Sequence, residues 1–182
     1  MLLSTDLSPP PPRFMPSVSD FACIVDHALS EREAGQRPLT ERLGISGRAI
    51  ASLRDKWLPA VALPDLDRPA PLRPDDQHAI ASLILMRAGS RAPEATWLAG
   101  ILARRSMEPR HLWEDLGLPG RPMLSAMIAH HLPGLAAANR LNMRWKKFFY
   151  RQICADSAFS LCLTPTCDAC SERDDCFAPA DA

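Results

Sequence analysis

Four cysteines crowd into the fifteen-residue stretch CLTPTCDACSERDDC, near the end of a 182-residue chain. They are Cys162, Cys167, Cys170 and Cys176, spaced C-x4-C-x2-C-x5-C. Thiolate is a soft ligand, suited to zinc, copper(I) and iron–sulfur clusters. Zinc sites usually pair two short knuckles separated by about a dozen residues or more, because four sulfurs must surround one ion. Every gap here is short, and so compact a loop drapes more naturally over one side of a larger object such as a cubane. The C-x4-C-x2-C portion also recurs in plant-type ferredoxins, whose fourth cysteine lies far away. The spacing therefore points to metal, and to an iron–sulfur-type cluster ahead of a single zinc. Pro165 stiffens the first gap, and no second large apolar run surrounds the site. A cluster held there is expected to be partly exposed, which suits handover better than storage.

Other residues have chemistry of their own. In MRWKKFFYRQIC, helical spacing puts Trp145, Phe148, Phe149 and Ile153 on one stripe and Arg144, Lys147 and Arg151 on another. Cys154 falls beside Lys147 on the basic stripe, where cations favour the thiolate. It is a candidate fifth ligand or transient acceptor, weighed against an ordinary surface cysteine. The basic stripe would attract an anionic cluster, an oxyanion or an acidic partner, weighed against a solvated face. His111, His130 and His131 are candidate metal or oxyanion ligands, though histidines in helical proteins are more often structural. His27 and His78 read as structural, and Cys23, in FACIVDHAL, as a small buried hydrophobe.

These groups need elements to position them. Apolar residues make up 47% and charged residues 23%, the balance of a globular domain with a sizeable core. Formal net charge is zero, so the whole chain shows no bias towards nucleic acid or an anionic membrane. There is no apolar run of about 18 residues to span a bilayer, and the N-terminus makes a poor secretory signal. A cytoplasmic location is expected, where clustered thiols bind metal or do redox work more often than they form disulfides. Prolines number 18 and glycines 8, which fits helices stopped by proline rather than a glycine-turned sheet.

The expected fold is all-α: a compact helical bundle with an irregular cysteine-rich tail. Residues 1–19 read as a disordered proline-rich leader, whose PPPP is a weak candidate SH3-type ligand, residues 20–155 as the helical domain, and 156–182 as the metal-binding tail. Phe21, Ile24, Val25, Ala28 and Leu29 follow a helical period, with Asp20 as the expected cap. Two short helices meet near Gly44–Ser46, and Leu63–Pro74 is a proline-rich connection. A buried helix DDQHAIASLILMRAG follows, then one opening on Pro93, then EPRHLWEDLGL, GRPMLSAMIAHHLP and NMRWKKFFYRQIC. The chain also echoes itself. Leu43-Gly44, Gly47-Arg48, Ser52 and Leu58-Pro59 find Leu116-Gly117, Gly120-Arg121, Ser125 and Leu132-Pro133, at an offset of 73 that becomes 74. This pattern reads either as two related helical units or as a recurrent way to stop one helix and start the next.

Four segments carry a resemblance: HLWEDLGL (111–118), HLPGLAAAN (131–139), MRWKKFFYRQIC (143–154) and the cysteine set through Cys176-Phe177. Together they resemble the NifQ family of molybdenum nitrogenase cofactor biosynthesis. The match is good over residues 107–177, looser before them, and absent in the leader; Ala178 stands where the family has glycine. The resemblance implies a carrier of a molybdenum–iron–sulfur cluster, not an enzyme, that donates molybdenum to the iron–molybdenum cofactor. It implies Cys162, Cys167, Cys170 and Cys176 as ligands. It also implies the cofactor scaffold complex and the nitrogenase iron protein as partners, with molybdate or thiomolybdate as the source and no nucleic acid or membrane partner. It leaves the roles of Cys154 and the histidines open.

Two readings from other classes compete. LTERLGISGRAIASLRDKW has the length and central glycine of a helix-turn-helix, and Arg48, Arg54 and Lys56 could meet phosphates. With the x2-x5 cysteine spacing, also seen in WhiB-type regulators, this would make a redox-sensing DNA-binding protein. The other alternative is a structural zinc module for protein binding.

Overall fold

The computed structural model describes residues 16–35, 37–70 and 72–156, and among them the regular elements are all α-helices. They are α1 (Pro16–Gly35), α2 (Leu39–Leu43), α3 (Gly47–Trp57), α4 (Asp75–Arg87), α5 (Pro93–Ser106), α6 (Leu112–Asp115), α7 (Arg121–His131), α8 (Pro133–Ala138) and α9 (Trp145–Asp156). The all-α expectation holds over this span. The cysteine-rich tail and residues 1–15 of the leader lie outside the described residues.

Two elements depart from the sequence reading. Helix α1 starts at Pro16, so Asp20 is not its cap. Asp20 sits four residues before Ile24 and eight before Ala28, on the face that packs inward, and it is wholly buried with them. Helix α4, expected to be buried, is buried on one face: Ile80, Ala81, Leu83 and Ile84 enter the core while Leu85 and Met86 are exposed. Helix α8 was not expected. Pro133 supplies the preset φ of a first helical turn, and Gly134 lies against Gly89, its N–H donating to Ala88 O at 3.0 Å.

The internal echo is a real correspondence in local structure. In each copy a short helix ends at a left-handed glycine, Gly44 (φ 65°) or Gly117 (φ 67°). An 11-residue helix follows, α3 or α7. Each then ends on a leucine of nearly the same backbone, Leu58 (φ −138°, ψ 48°) or Leu132 (φ −132°, ψ 57°). With α1 and α5 in front, the chain builds two units, α1–α2–α3 and α5–α6–α7. They interlock: α1 packs on α7, and α3 packs on α5.

The glycines make that interlock possible. A Cβ on Gly44 would stand 2.5 Å from Arg104 Cβ and 3.1 Å from Gly100 O, both on α5. A Cβ on Gly117 would stand 2.4 Å from His27 Cβ and 3.1 Å from Cys23 O, both on α1. Each turn is thus seated on the long helix of the other unit, across two residues four apart. A side chain would be strained there by φ alone and would also push the units apart. The proline-rich residues 63–70 and 72–74 close over the first unit: Arg32 holds Asp65 (2.5 Å), Thr40 Oγ1 donates to Pro69 O (3.3 Å), and Arg73 donates to Gly44 O (3.2 Å).

The last residues of α3 and α7 meet at the seam. Trp57 and His131 lie edge to face, with centroids 6.3 Å apart, and both pack on Phe21. Beside them are two buried carboxyl groups. Glu94 is satisfied, by Lys56 and by Trp57 Nε1 at 3.2 Å. Asp20 has no hydrogen-bond partner on either oxygen among the described residues. Burial raises Asp20 to about 6, with His130 opposing. Burial also lowers His131 to about 4, helped by His130 and Lys56 and opposed by Glu94.

Two predictions follow from this packing. A Cβ on Gly47 would overlap Leu66 O at 1.7 Å, whereas one on the corresponding Gly120 has nothing closer than Pro122 Cδ at 3.5 Å. Gly47→Ala is therefore expected to cost about 2 kcal/mol or more, and Gly120→Ala about 0.5 kcal/mol or less. Urea-unfolding midpoints compare them, and equal midpoints would deny Gly47 its packing role. The second concerns pH. Below its ordinary pKa of 6.5, His131 takes up a proton more readily unfolded than folded, so its contribution to stability is lost as pH falls towards 4. Asp20 has the opposite sign, because the folded state binds its proton more tightly between about 6 and 3.8. His131→Phe should therefore gain on the parent by about 2 kcal/mol between pH 7 and pH 4. Parallel stability curves for the two proteins over that range would overturn the assignment.

Candidate functional site

The cysteine tail leaves the helical body through α9, so the site begins with what holds that helix. Its apolar stripe is as the spacing predicts: Trp145, Phe148, Phe149 and Ile153 are all buried, and Trp145 meets Phe148 edge to face at 5.7 Å. On the other side Arg151 is exposed, while Arg144 and Lys147 are half-buried. The backbone of Cys154 lies in the last turn of α9; its side chain, like Cys162, Cys167, Cys170 and Cys176, is outside the described residues.

Lys146 fixes the start of α9. Its ammonium donates to Glu108 O (2.5 Å), Arg110 O (2.5 Å) and Asp115 Oδ2 (2.7 Å). Asp115 is 2% exposed and is also reached by Arg110 Nε at 3.3 Å. Burial lowers the pKa of Lys146, and Asp115 opposes that shift, so the charge is held by its partner. The residues around Asp115 are shaped for this role. Glu114 Oε2 accepts from the His111 backbone N–H (3.0 Å) and closes the first turn of α6, so α6 presents Asp115 inward.

Two further ties bring the preceding segment to the same place. Asn139 accepts from Met143 N and donates to Met143 O, both at 2.9 Å. Trp145 Nε1 donates to Ser125 Oγ on α7 at 3.2 Å. The segments HLWEDLGL, HLPGLAAAN and MRWKKFFYRQIC are thus one packed assembly. Their polar residues, which in sequence look like chemistry, here fix the position of α9 against the body.

The candidate histidines are not gathered into one site. His111 caps α6 and stacks on Trp113 at 6.4 Å. His130 is exposed at the end of α7, and His131 beside it is buried in the aromatic seam. His78 lies on the surface of α4, and His27 faces Glu31 at 3.5 Å. Among the described residues no group of three or more His, Cys, Asp or Glu side chains could hold a metal ion. Cys23 is half-buried against the core rather than fully enclosed, and burial raises its thiol pKa, with Asp20 and Asp26 adding to the shift. It is the protonated form that packs there.

The helix-turn-helix reading meets a cost. Of its three cations, Arg54 is paired with Asp55 (2.6 Å) and Lys56 with Glu94; Arg48 is exposed. Ile50 and Leu53 of α3 are buried against the other helices. A phosphate would have to compete with carboxylates already in place. Among the described residues no helix is long and apolar enough to cross a membrane.

Sequence reading missed the buried charged groups Asp20, Glu94 and Arg105, and the half-buried Glu31 that pairs with Arg105. A signal was available. Arg105 follows Leu98, Ile101 and Leu102 by seven, four and three residues, which places it on their buried face. A charge at such a position should have been read as paired or functional.

The chain matches relatives over most of its length. A family model described as NifQ covers residues 20–178. Protein NifQ of Rhodobacter capsulatus is 67% identical over 156 residues, 86% of this chain and 87% of its own length. A Protein NifQ homolog of Sinorhizobium fredii (strain NBRC 101917 / NGR234) is 38% identical over 94% of this chain and 77% of its own. Protein NifQ of Klebsiella pneumoniae is 37% identical over 79% of this chain and 90% of its own. No solved structure gives a significant match. With the family match spanning the helical body and the cysteine tail together, the chain belongs to the NifQ family.

Proposed function

We propose that the chain carries molybdenum within an iron–sulfur cluster and donates it for assembly of the iron–molybdenum cofactor in nitrogen fixation. The observation that carries this reading is the C-x4-C-x2-C-x5-C spacing of Cys162, Cys167, Cys170 and Cys176, six residues after α9 ends, in a chain of the NifQ family. The cluster is cargo, and the four thiolates are its handle. Thiolate suits molybdenum bridged to iron by sulfide, because both metals then share soft ligands.

Delivery on this reading is ligand exchange rather than catalysis. The receiving surface belongs to the cofactor scaffold complex and the nitrogenase iron protein, and it supplies competing ligands while the cysteines let go. Short gaps between the cysteines favour holding one side of the cluster and leaving the other open. The anchoring of α9 by Lys146 and its apolar stripe supports a division of labour, in which the helical body keeps its fold whether the tail is loaded or empty. The molybdenum source is molybdate or thiomolybdate, the compartment the cytoplasm.

Protein purified without oxygen is expected to contain iron and molybdenum and to give an iron–sulfur EPR signal; zinc alone would overturn the carrier reading in favour of a structural module. Cys167→Ser or Cys170→Ser should abolish cluster binding while the circular dichroism of the helices stays unchanged. A chromosomal deletion is expected to lose nitrogen fixation at low molybdate and regain it when molybdate is in excess, because mass action bypasses a donor. Failure at every molybdate concentration would point to a different essential step.

A further inference from the structure

Glu31, on α1, is ringed by two guanidinium groups and an imidazole from three helices. Arg105 Nη1 of α5 donates to its carboxylate at 2.5 Å, Arg42 Nη2 of α2 donates to its backbone carbonyl at 3.2 Å, and His27 Nε2 stands 3.5 Å from its other carboxylate oxygen. Arg105 is 1% exposed, yet its Nε and Nη2 have no hydrogen-bond partner among the described residues. Neither do the buried Arg42 Nε and His27 Nε2. Three buried guanidinium nitrogens beside one carboxylate lack an acceptor, and His27 Nε2 comes no closer than 3.5 Å to one. Native proteins seldom leave such groups unmet, because each loses hydration with nothing in return.

The charge count points the same way. Arg105 faces the Glu31 carboxylate, and Arg42, bonded to the Glu31 backbone carbonyl, adds a second positive charge beside it. The nearby cations have carboxylates of their own: Arg104 has Glu108 (2.7 Å), and Arg110 and Lys146 share Asp115. Burial lowers the pKa of His27, with Glu31 opposing and Arg105 and Arg110 adding to it. A water could accept from two of the nitrogens but would leave the surplus charge uncompensated. A dianion with several acceptor oxygens would answer both deficits, and guanidinium forks suit its geometry. A route exists as well, since the side chains of His27 and Glu31 are 23% and 22% exposed.

We propose that Arg105, Arg42 and His27 form an internal receptor for a tetrahedral inorganic oxyanion, in which the Glu31 carboxylate stands in for the anion and swings towards solvent when it binds. Molybdate belongs to that class, and identifying it as the natural occupant rests on the proposed function; binding of an oxyanion as such does not. The receptor would then be a docking point for the metal in its oxygen-ligated form, distinct from the soft thiolates of the tail.

Equilibrium dialysis of the full-length chain carrying Cys167→Ser and Cys170→Ser, against molybdate, sulfate and phosphate at fixed ionic strength, tests this. Saturable binding at one site is expected, weakened about tenfold or more by Arg105→Gln or Arg42→Gln. Glu31→Gln removes the competing carboxylate and should tighten binding several-fold, an effect that a merely structural Glu31–Arg105 pair would not produce. It also keeps the test decisive if Arg105→Gln does not fold. No saturable binding of any of the three anions, or equal affinity in the parent and Glu31→Gln, would overturn the site. Sulfate bound as tightly as molybdate would uphold an oxyanion site and overturn molybdate as its particular occupant. A tail that carries only zinc would defeat the carrier reading without touching this result.

Discussion

The fold depends on two glycine turns, each seated against the long helix of the opposite unit. Gly44 lies on α5 between Gly100 and Arg104; Gly117 lies on α1 between Cys23 and His27. At such distances a methyl group cannot be accommodated without moving backbone, so the positions of α1, α5 and the two turns are set together. The positive φ that ends each short helix is the same feature that permits the close approach. Everything else in the body is arranged around that mutual seating: α3 crosses to α5, α7 crosses to α1, and their last residues, Trp57 and His131, meet over Phe21.

The two halves share a plan but differ in polarity where it matters. On the α3 side of the seam Glu94 receives Lys56 and the indole N–H of Trp57. On the α7 side His130 and His131 stand where Lys56 and Trp57 stand in the first unit, and Asp20 is left without a hydrogen bond among the described residues. Imidazole replaces a permanent cation and a fixed donor, so the α7 side carries two groups, His131 and Asp20, with opposed responses to mildly acidic pH. Deeper in the same interface, Glu31 and Arg105 join α1 to α5 and leave donors unmet. Interlocking creates these buried polar surfaces, because the faces brought together include residues near helix ends as well as apolar stripes.

Helix α9 stands outside the interlocked pair and packs on α4. It is held by a buried ammonium–carboxylate contact at its first turn and by aromatic packing along its length. This is a rigid base for a cysteine segment. On the proposed function, a body whose stability comes from its own core would tolerate changes of ligand at the tail, and a carrier needs that separation between folding and metal exchange.

Much of this was legible in the sequence. Helical periodicity located most of the helices, the apolar stripe of α9 came out residue for residue, and the repeated Leu-Gly-x-x-Gly marked both turns. Local rules suffice there because a left-handed turn and a 3.6-residue stripe are properties of neighbouring residues. Asp20 was misread because a capping residue and a buried acid look alike until the start of the helix is known. The proline-started α8 gave too little periodicity to place, and EPRHLWEDLGL, read as one helix, forms only the four-residue α6. The family and the spacing of the four cysteines were legible in the sequence alone, since order along the chain carries that information; the molybdenum cargo is an expectation that rests on the family. Only the tertiary structure decided that Lys146 closes on Asp115, that Glu31 gathers Arg42, Arg105 and His27, and that each glycine turn rests on the other unit. Those pairings join residues dozens of positions apart, and no local preference specifies them; they are fixed when the faces of packed helices come together.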